Sequence, residues 1–338
     1  MGRNKYFSGL PKIAIYLLST VSIAVIAFVF VFIFYKSWPV LKGSGLSLIT
    51  EGGFDTKVQE VFNSEVFGTA APDKPFAFGM LALLAGTLLT TLAALSSAAF
   101  IGVGAALIVC EYSSGRVSAI LMTLVRLLAS IPSVVFGLIG FKVLVPFIND
   151  KMIWSEAEKF ISVDQYIEYM TKYNVYLSGE CLLTAMAVLT FMVVPMVTSL
   201  AVDAIRAVPH SQKETGFAFG MSKFRVIYKI ILPNARSGIT AGVILAAGRG
   251  IGEAIAVSMV CGGVGFIPKA ALGLSNFLAP VLTLASAIIN KSESMGTTAA
   301  LDSALFTCGA ILLILGAFLS IGAGIVEKRM RKIAGYDN

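Results

Sequence analysis

Charge is what this chain has least of. Only 13% of its 338 residues are Asp, Glu, Lys or Arg, against 57% apolar, a balance that excludes a water-soluble domain. Histidine occurs once, at His210, and no group of Cys, His, Asp or Glu has the spacing of metal ligands. Cys110, Cys181, Cys261 and Cys308 lie far apart with no CxxC pair, so they read as small apolar fillers rather than redox or zinc residues. No GxxxxGK[ST] loop occurs, so the chain does not hold ATP in that way. No nucleophile–base arrangement is visible either, which leaves an enzyme reading without support. Strand-type alternation is absent, and with it the case for a membrane barrel.

Long apolar runs take the place of these features. Segments 13–35, 76–110, 181–202 and 303–326 carry no charge; 117–148 carries only Arg126 and Lys142, and 237–267 only Arg249 and Glu253. Each is long enough to cross roughly 30 Å of hydrocarbon as a helix, where backbone groups must bond within their own segment. The expected fold class is therefore all-α: a polytopic membrane bundle of six transmembrane helices.

With both termini on one side, that side collects fifteen cations, Arg126 included, against five acids (Glu111, Asp203, Glu214, Glu327 and Asp337). The opposite side has nine cations and thirteen acids. The positive-inside rule makes the basic side cytoplasmic. The net charge of +7 is thus a topology signal, and no nucleic-acid partner is implied. The first run exceeds the core of a signal peptide and lacks a small-residue cleavage site, so it reads as an uncleaved span, with Tyr35 and Trp38 as interface anchors.

Two outer segments are long. Residues 36–75, rich in Gly, Asp and Glu, read as a loop over the outer surface. Residues 149–178 have helical character, with Ser155 and Glu158 as a capping box and Trp154, Phe160, Tyr166 and Tyr169 suited to the membrane surface. Residues 270–290 are uncharged. A seventh span there would put the basic cluster at 328–332 outside, so the segment reads as interfacial or re-entrant, broken at Pro280.

Three constellations carry chemistry. The polar stretch 203–236 interleaves cations with Phe217, Phe219, Met221 and Phe224. Gly220 can end one short helix in a left-handed cap, and Pro233 is expected to stop the next before span five. Such a helix–Gly–helix suits a partner's groove, or equally an amphipathic linker lying on lipid. The second constellation is Arg249 and Glu253. Four residues apart, they would share a helix face in the outer half of the membrane, either binding an oxyanion or neutralising each other. Small residues recur around them: Gly242, Ala246, Gly250 and Ala254 every four, with Gly248 and Gly252 as GxxxG. The third is Pro132 in span three, flanked by Ser130 and Ser133, which can line a pathway or simply satisfy a kinked backbone.

The order Glu214, Gly220, Ile230, Leu232, Pro233 resembles the EAA loop of ABC importer permeases, although Thr215 and Gly216 replace its usual alanines. Gly248-Arg249-x-x-Gly252-Glu253, the Ile-Pro-Ser-Val-Val-Phe-Gly run at 131–137, Ser37-Trp38-Pro39 and Gly86-Thr87-Leu-x-Thr90 narrow the likeness to the phosphate-specific permeases, C-type subunit. Arg126 stands where that family usually has Glu. The resemblance implies a type I importer permease core at 76–338, preceded by one added span and outer loop at 1–75, with the coupling loop at 203–236.

It further implies that Glu214, Phe217, Gly220, Met221, Ile230, Leu232 and Pro233 dock a cytoplasmic ABC ATPase dimer. Arg249, Glu253, Ser130, Ser133 and Thr87 would border the substrate pathway. The chain itself would need no cofactor, ATP being bound by the ATPases. A second, non-identical permease and an extracytoplasmic phosphate-binding protein would complete the assembly in the lipid of the cytoplasmic membrane. Phosphonate, sulfate or molybdate as cargo, and a gradient-driven secondary transporter, remain as alternatives.

Overall fold

The structure, a computed structural model, describes residues 10–70, 72–153, 167, 168, 171, 176–267 and 269–333. Among these, six helices are long and apolar enough to cross a membrane, and the backbone is almost entirely helical. The capping box at Ser155 and Glu158, with Trp154, Phe160, Tyr166 and Tyr169, lies outside the described residues.

Helix α1 (Leu10–Ser44) leans on the last helix, with Phe32 set edge-on against Phe306 at 5.5 Å. No residue of its most apolar window is buried, so hydrocarbon must cover it. The helix continues nine residues beyond Tyr35, because Ser37, Val40 and Ser44 recur on one face and bury against the core. The expected loop at 36–75 is in good part helical. Helix α2 (Phe54–Val66) buries Phe54, Val58 and Val61, an i, i+4, i+7 stripe that low mean hydropathy conceals.

Helix α3 (Leu81–Leu107) ends in a π turn, Ile108–Tyr112. The expected third span is in fact two helices, α4 (Gly115–Ser130) and α5 (Ser133–Ile139), the latter extended by π and α turns to Ile153. Ile131 precedes proline and takes an extended conformation (ψ 129°), as does Pro132 (ψ 141°), so the chain breaks instead of bending. Ser130 Oγ donates to the Leu127 carbonyl at 2.7 Å, satisfying one group freed by the break.

Helix α6 (Leu182–Arg206) is the hub, packed on α3, α4 and α9, with 56% of its most apolar window buried. Two short helices follow, α7 (His210–Ala218) and α8 (Lys223–Val226), then a π turn, Ile227–Ile231, and α9 (Leu232–Ile251). Pro233 does not stop a helix. It sits in the first turn of α9, directly after the π turn in which the Leu232 N–H bonds back to the Ile227 carbonyl. A first-turn proline is tolerated there, so Lys223–Ile251 forms one span-length helix.

That helix also ends earlier than expected. Gly248, Gly250 and Gly252 crowd its last turn, and the chain leaves helical geometry before α10 (Ile255–Ser258). Residues 270–290 hold a 3-10 turn, Ala270–Leu278, and α11 (Leu284–Asn290), neither of them long enough to span. Residues Val281 to Ala287 are buried against α3 and α12 (Ala299–Ile333). A Cβ on Gly86 would lie 2.6 Å from the Leu282 carbonyl oxygen, so glycine is what permits this close approach. Cys181, Cys261 and Cys308 are buried and all four cysteines are free.

Candidate functional site

The segment 203–236 is built from the inside outward. Val226, Ile227 and Ile231 bury against Ala106 and Val109 of the α3 end, Met122 of α4 and Val202 and Ile205 of α6. Gly216 is the buried residue of α7: Val226 and Ile230 fill the space where a side chain would stand, and a Cβ would meet Ile230 Cδ1 at 2.5 Å. Gly220 takes φ +72° with open space around it, the left-handed conformation that lets α8 leave α7 at an angle. Ser222 caps α8 by accepting from the Arg225 N–H at 3.4 Å.

This scaffold leaves an aromatic face outward. Phe217, Phe219, Phe224 and Tyr228 are all exposed, Phe219 to 78%, and Phe224 and Tyr228 stack in parallel with ring centres 6.5 Å apart. Glu214 is exposed on the same short helix. Met221, Ile230 and Leu232 are half-buried and Pro233 is exposed. The seven docking candidates therefore divide: Glu214, Phe217, Gly220 and Pro233 reach the surface, while Met221, Ile230 and Leu232 sit partly beneath it.

Arg249 and Glu253 do not share a helix face, because α9 ends between them. No ion pair joins them among the described residues. Arg249 is exposed in the last turn of α9, where the helix dipole favours a cation. Its neighbours on that side are Leu245, exposed to 59%, and Gly248, where an added Cβ would meet nothing within 4 Å. Glu253 Oε1 instead accepts from the Ala256 N–H at 3.1 Å, capping the short helix that follows. The opposite stripe packs inward, with Gly242 against Leu200 and Gly250 against Thr91 and Leu189.

The remaining candidates differ in their burial. Ser130 is exposed and Ser133 half-buried at the α4–α5 break. Thr87 is buried: its hydroxyl donates to the Leu83 carbonyl at 2.7 Å and accepts from the Leu284 N–H at 2.9 Å. It holds the start of α11 to α3 in the packed interior.

The profile described as "Binding-protein-dependent transport system inner membrane component" matches residues 98–332, from within α3 almost to the end of α12. The chain belongs to that family. Among relatives of this transport component, the Mycobacterium tuberculosis phosphate transport system permease protein PstC 1 is 32% identical over 262 residues, covering 76% of this chain and 74% of its own. The Pasteurella multocida phosphate transport system permease protein PstC is 30% identical over 259 residues, covering 75% and 77%. The solved inward-facing MetNI methionine ABC transporter contributes a chain of the same fold, with a TM-score of 0.51 at 16% identity, covering 74% of this chain and 97% of that one. Membership accounts for the bundle: the component is a multi-pass helical membrane protein with an importer-permease fold.

Several contacts of this transport component are not evident from residue spacing. Lys213 Nζ pairs with Glu111 Oε1 at 2.6 Å, Arg206 donates to Ser118 Oγ at 3.1 Å, and Lys223 stands 4.6 Å above the Tyr112 ring. About 90 to 110 positions separate these partners in the chain, so no local pattern reveals them. The one signal in the sequence is the charge balance, which puts Glu111 and the cations of 203–236 on the same side.

Proposed function

We propose that this chain is a permease subunit of an ATP-driven, binding-protein-dependent importer that carries inorganic phosphate across the cytoplasmic membrane. The observation that carries the reading is the exposed aromatic face of α7 and α8, held on a buried apolar base and turned at Gly220. Four exposed rings on a rigid base cost free energy in water and suit a partner's groove. The chain has no ATP chemistry of its own on this reading. A cytoplasmic ATPase dimer receives α7 and α8, both termini face the cytoplasm, and an extracytoplasmic binding protein delivers the anion.

Phosphate as cargo is supported by the two named relatives and by the exposed Arg249, whose planar guanidinium can grip an oxyanion through two parallel hydrogen bonds. Because that face of α9 has no cover from this chain, the pathway runs along its boundary with a second, non-identical permease. Ser130 and Ser133 border it at the α4–α5 break. Glu253 fixes the chain beyond α9 and so sets where Arg249 stands. Co-purification with the ATPase tests the docking: Glu214→Lys or Gly220→Pro is expected to lose the ATPase while the permease stays in the membrane. Unchanged recovery of the ATPase with both variants would remove the docking claim.

A further inference from the structure

Beyond the apolar packing of Val226, Ile227 and Ile231, the coupling segment is attached to the rest of the protein in two ways. One is covalent, since α8 and its π turn run directly into α9. The other is a set of side-chain contacts to the corner between α3 and α4. Three cations from three consecutive pieces of the segment converge there: Arg206 at the end of α6, Lys213 on α7 and Lys223 on α8. Their partners are Ser118, Glu111 and Tyr112. Both members of the Lys213–Glu111 pair have only 13% of their side-chain surface exposed, so the pair is largely withdrawn from the water that weakens surface ion pairs. Breaking one partner of such a pair leaves a charge poorly solvated.

The corner itself is short. It leads from the Ile108–Tyr112 π turn through Ser113 and Ser114 into α4. Helix α4 is a sixteen-residue rod, about 24 Å long, with no glycine or proline after its first residue. Its far end is the extended Ile131–Pro132 break. A displacement applied at the corner therefore reaches that break along one rigid element, and the break is where the chain can change direction.

We propose that Glu111, Tyr112 and Ser118, held by Lys213, Lys223 and Arg206, make the α3–α4 corner move as one body with the coupling helices, so that the ATPase stroke reaches α4 as well as α9. The proposal rests on the importer reading and assigns positioning residues within it. None of the six is placed in the anion path.

The test uses the complete transporter in proteoliposomes, with ATP hydrolysis and phosphate uptake measured together. Glu111→Gln and Lys213→Met are each expected to leave the ATPase bound but to lower phosphate moved per ATP about 5-fold, the lower edge of ordinary coupling effects. The exchange Glu111→Lys with Lys213→Glu is expected to restore most of the ratio, which a merely structural role would not require. A second arm combines Glu111→Cys with Lys213→Cys in a Cys110→Ala background and bridges the two thiols with a short crosslinker. Uptake that survives the bridge supports one moving body. An unchanged ratio in both single variants, or a bridge that stops uptake while the ATPase stays bound, overturns the proposal. If the wild-type complex moves no phosphate at all, the importer reading fails and this proposal falls with it.

Discussion

The segment around α7 and α8 and the C-terminal end of α9 both hold charges at helix ends, yet they treat them in opposite ways. In the first, Lys213 is paired, Arg206 is hydrogen-bonded and Lys223 lies over a ring. In the second, Arg249 is exposed beside the open Gly248, and the acid four residues later is engaged with the backbone instead. A region that engages three of its cations within the chain, leaving Arg225 and Lys229 exposed, is built to hold its shape. A cation left exposed at the end of an apolar helix is stable only if something outside the chain answers it. On the proposed function, that contrast separates the part that would transmit force from the part that would meet cargo or a second subunit.

The largest expected effect strikes the unsatisfied side. Arg249→Ala should reduce phosphate uptake about 10- to 100-fold, the worth of hydrogen bonds to a charged group, with assembly and ATPase recovery unchanged. Arg249→Lys should fall between, since a lysine keeps the charge but loses the two-pronged geometry. Uptake at the wild-type rate in the alanine variant would reduce Arg249 to a dipole-stabilised helix end.

Next comes Thr87, which belongs to neither side of the comparison. Thr87→Val removes the acceptor of the buried Leu284 N–H and should cost about 1–3 kcal/mol of stability, read as a lower unfolding temperature in detergent. Thr87→Ser should retain most of it. If instead the valine variant is fully stable but transports poorly, Thr87 acts in the pathway.

Gly220→Ala sharpens the force-transmitting side. Holding φ near +72° costs an L-residue about 1–2 kcal/mol, so ATPase binding should weaken several-fold, roughly 5- to 30-fold, by titration of the detergent-solubilised complex. The smallest effect is expected at Gly216→Ala. The gain in helix propensity, about 1 kcal/mol, is offset by pushing the flexible end of Ile230 aside, leaving unfolding within about 0.5 kcal/mol of wild type. A large loss there would mean that the Gly216–Ile230 contact sets the docking angle.

Span existence was legible in the sequence because hydrocarbon selects for apolar length, and each of the six runs overlaps a span-length helix. Span limits were not, because apolar length does not report where one helix ends. Residues 117–148 read as continuous although the pre-proline position at Ile131 favours extended backbone, and the structure breaks there. Pro233 read as a stop, yet a first-turn proline after a π turn extends the helix. Helix α2 was hidden for the reverse reason: its Phe54, Val58 and Val61 stripe is diluted by charged residues facing water. At the site, Gly220 and the exposed aromatics were readable from local spacing. The contacts of Lys213 with Glu111 and of Lys223 with Tyr112 were not, because they exist only once distant segments pack.

The central claim is that this chain moves its cargo only when driven through α7 and α8. It is tested most directly by measuring phosphate uptake into proteoliposomes containing the permeases and binding protein, with and without the ATPase, in the presence and absence of ATP. Uptake that requires both ATPase and ATP, and disappears with Gly220→Pro, is the predicted result. Gradient-driven phosphate uptake by the membrane chain alone, unaffected by the ATPase or by Gly220→Pro, would contradict it.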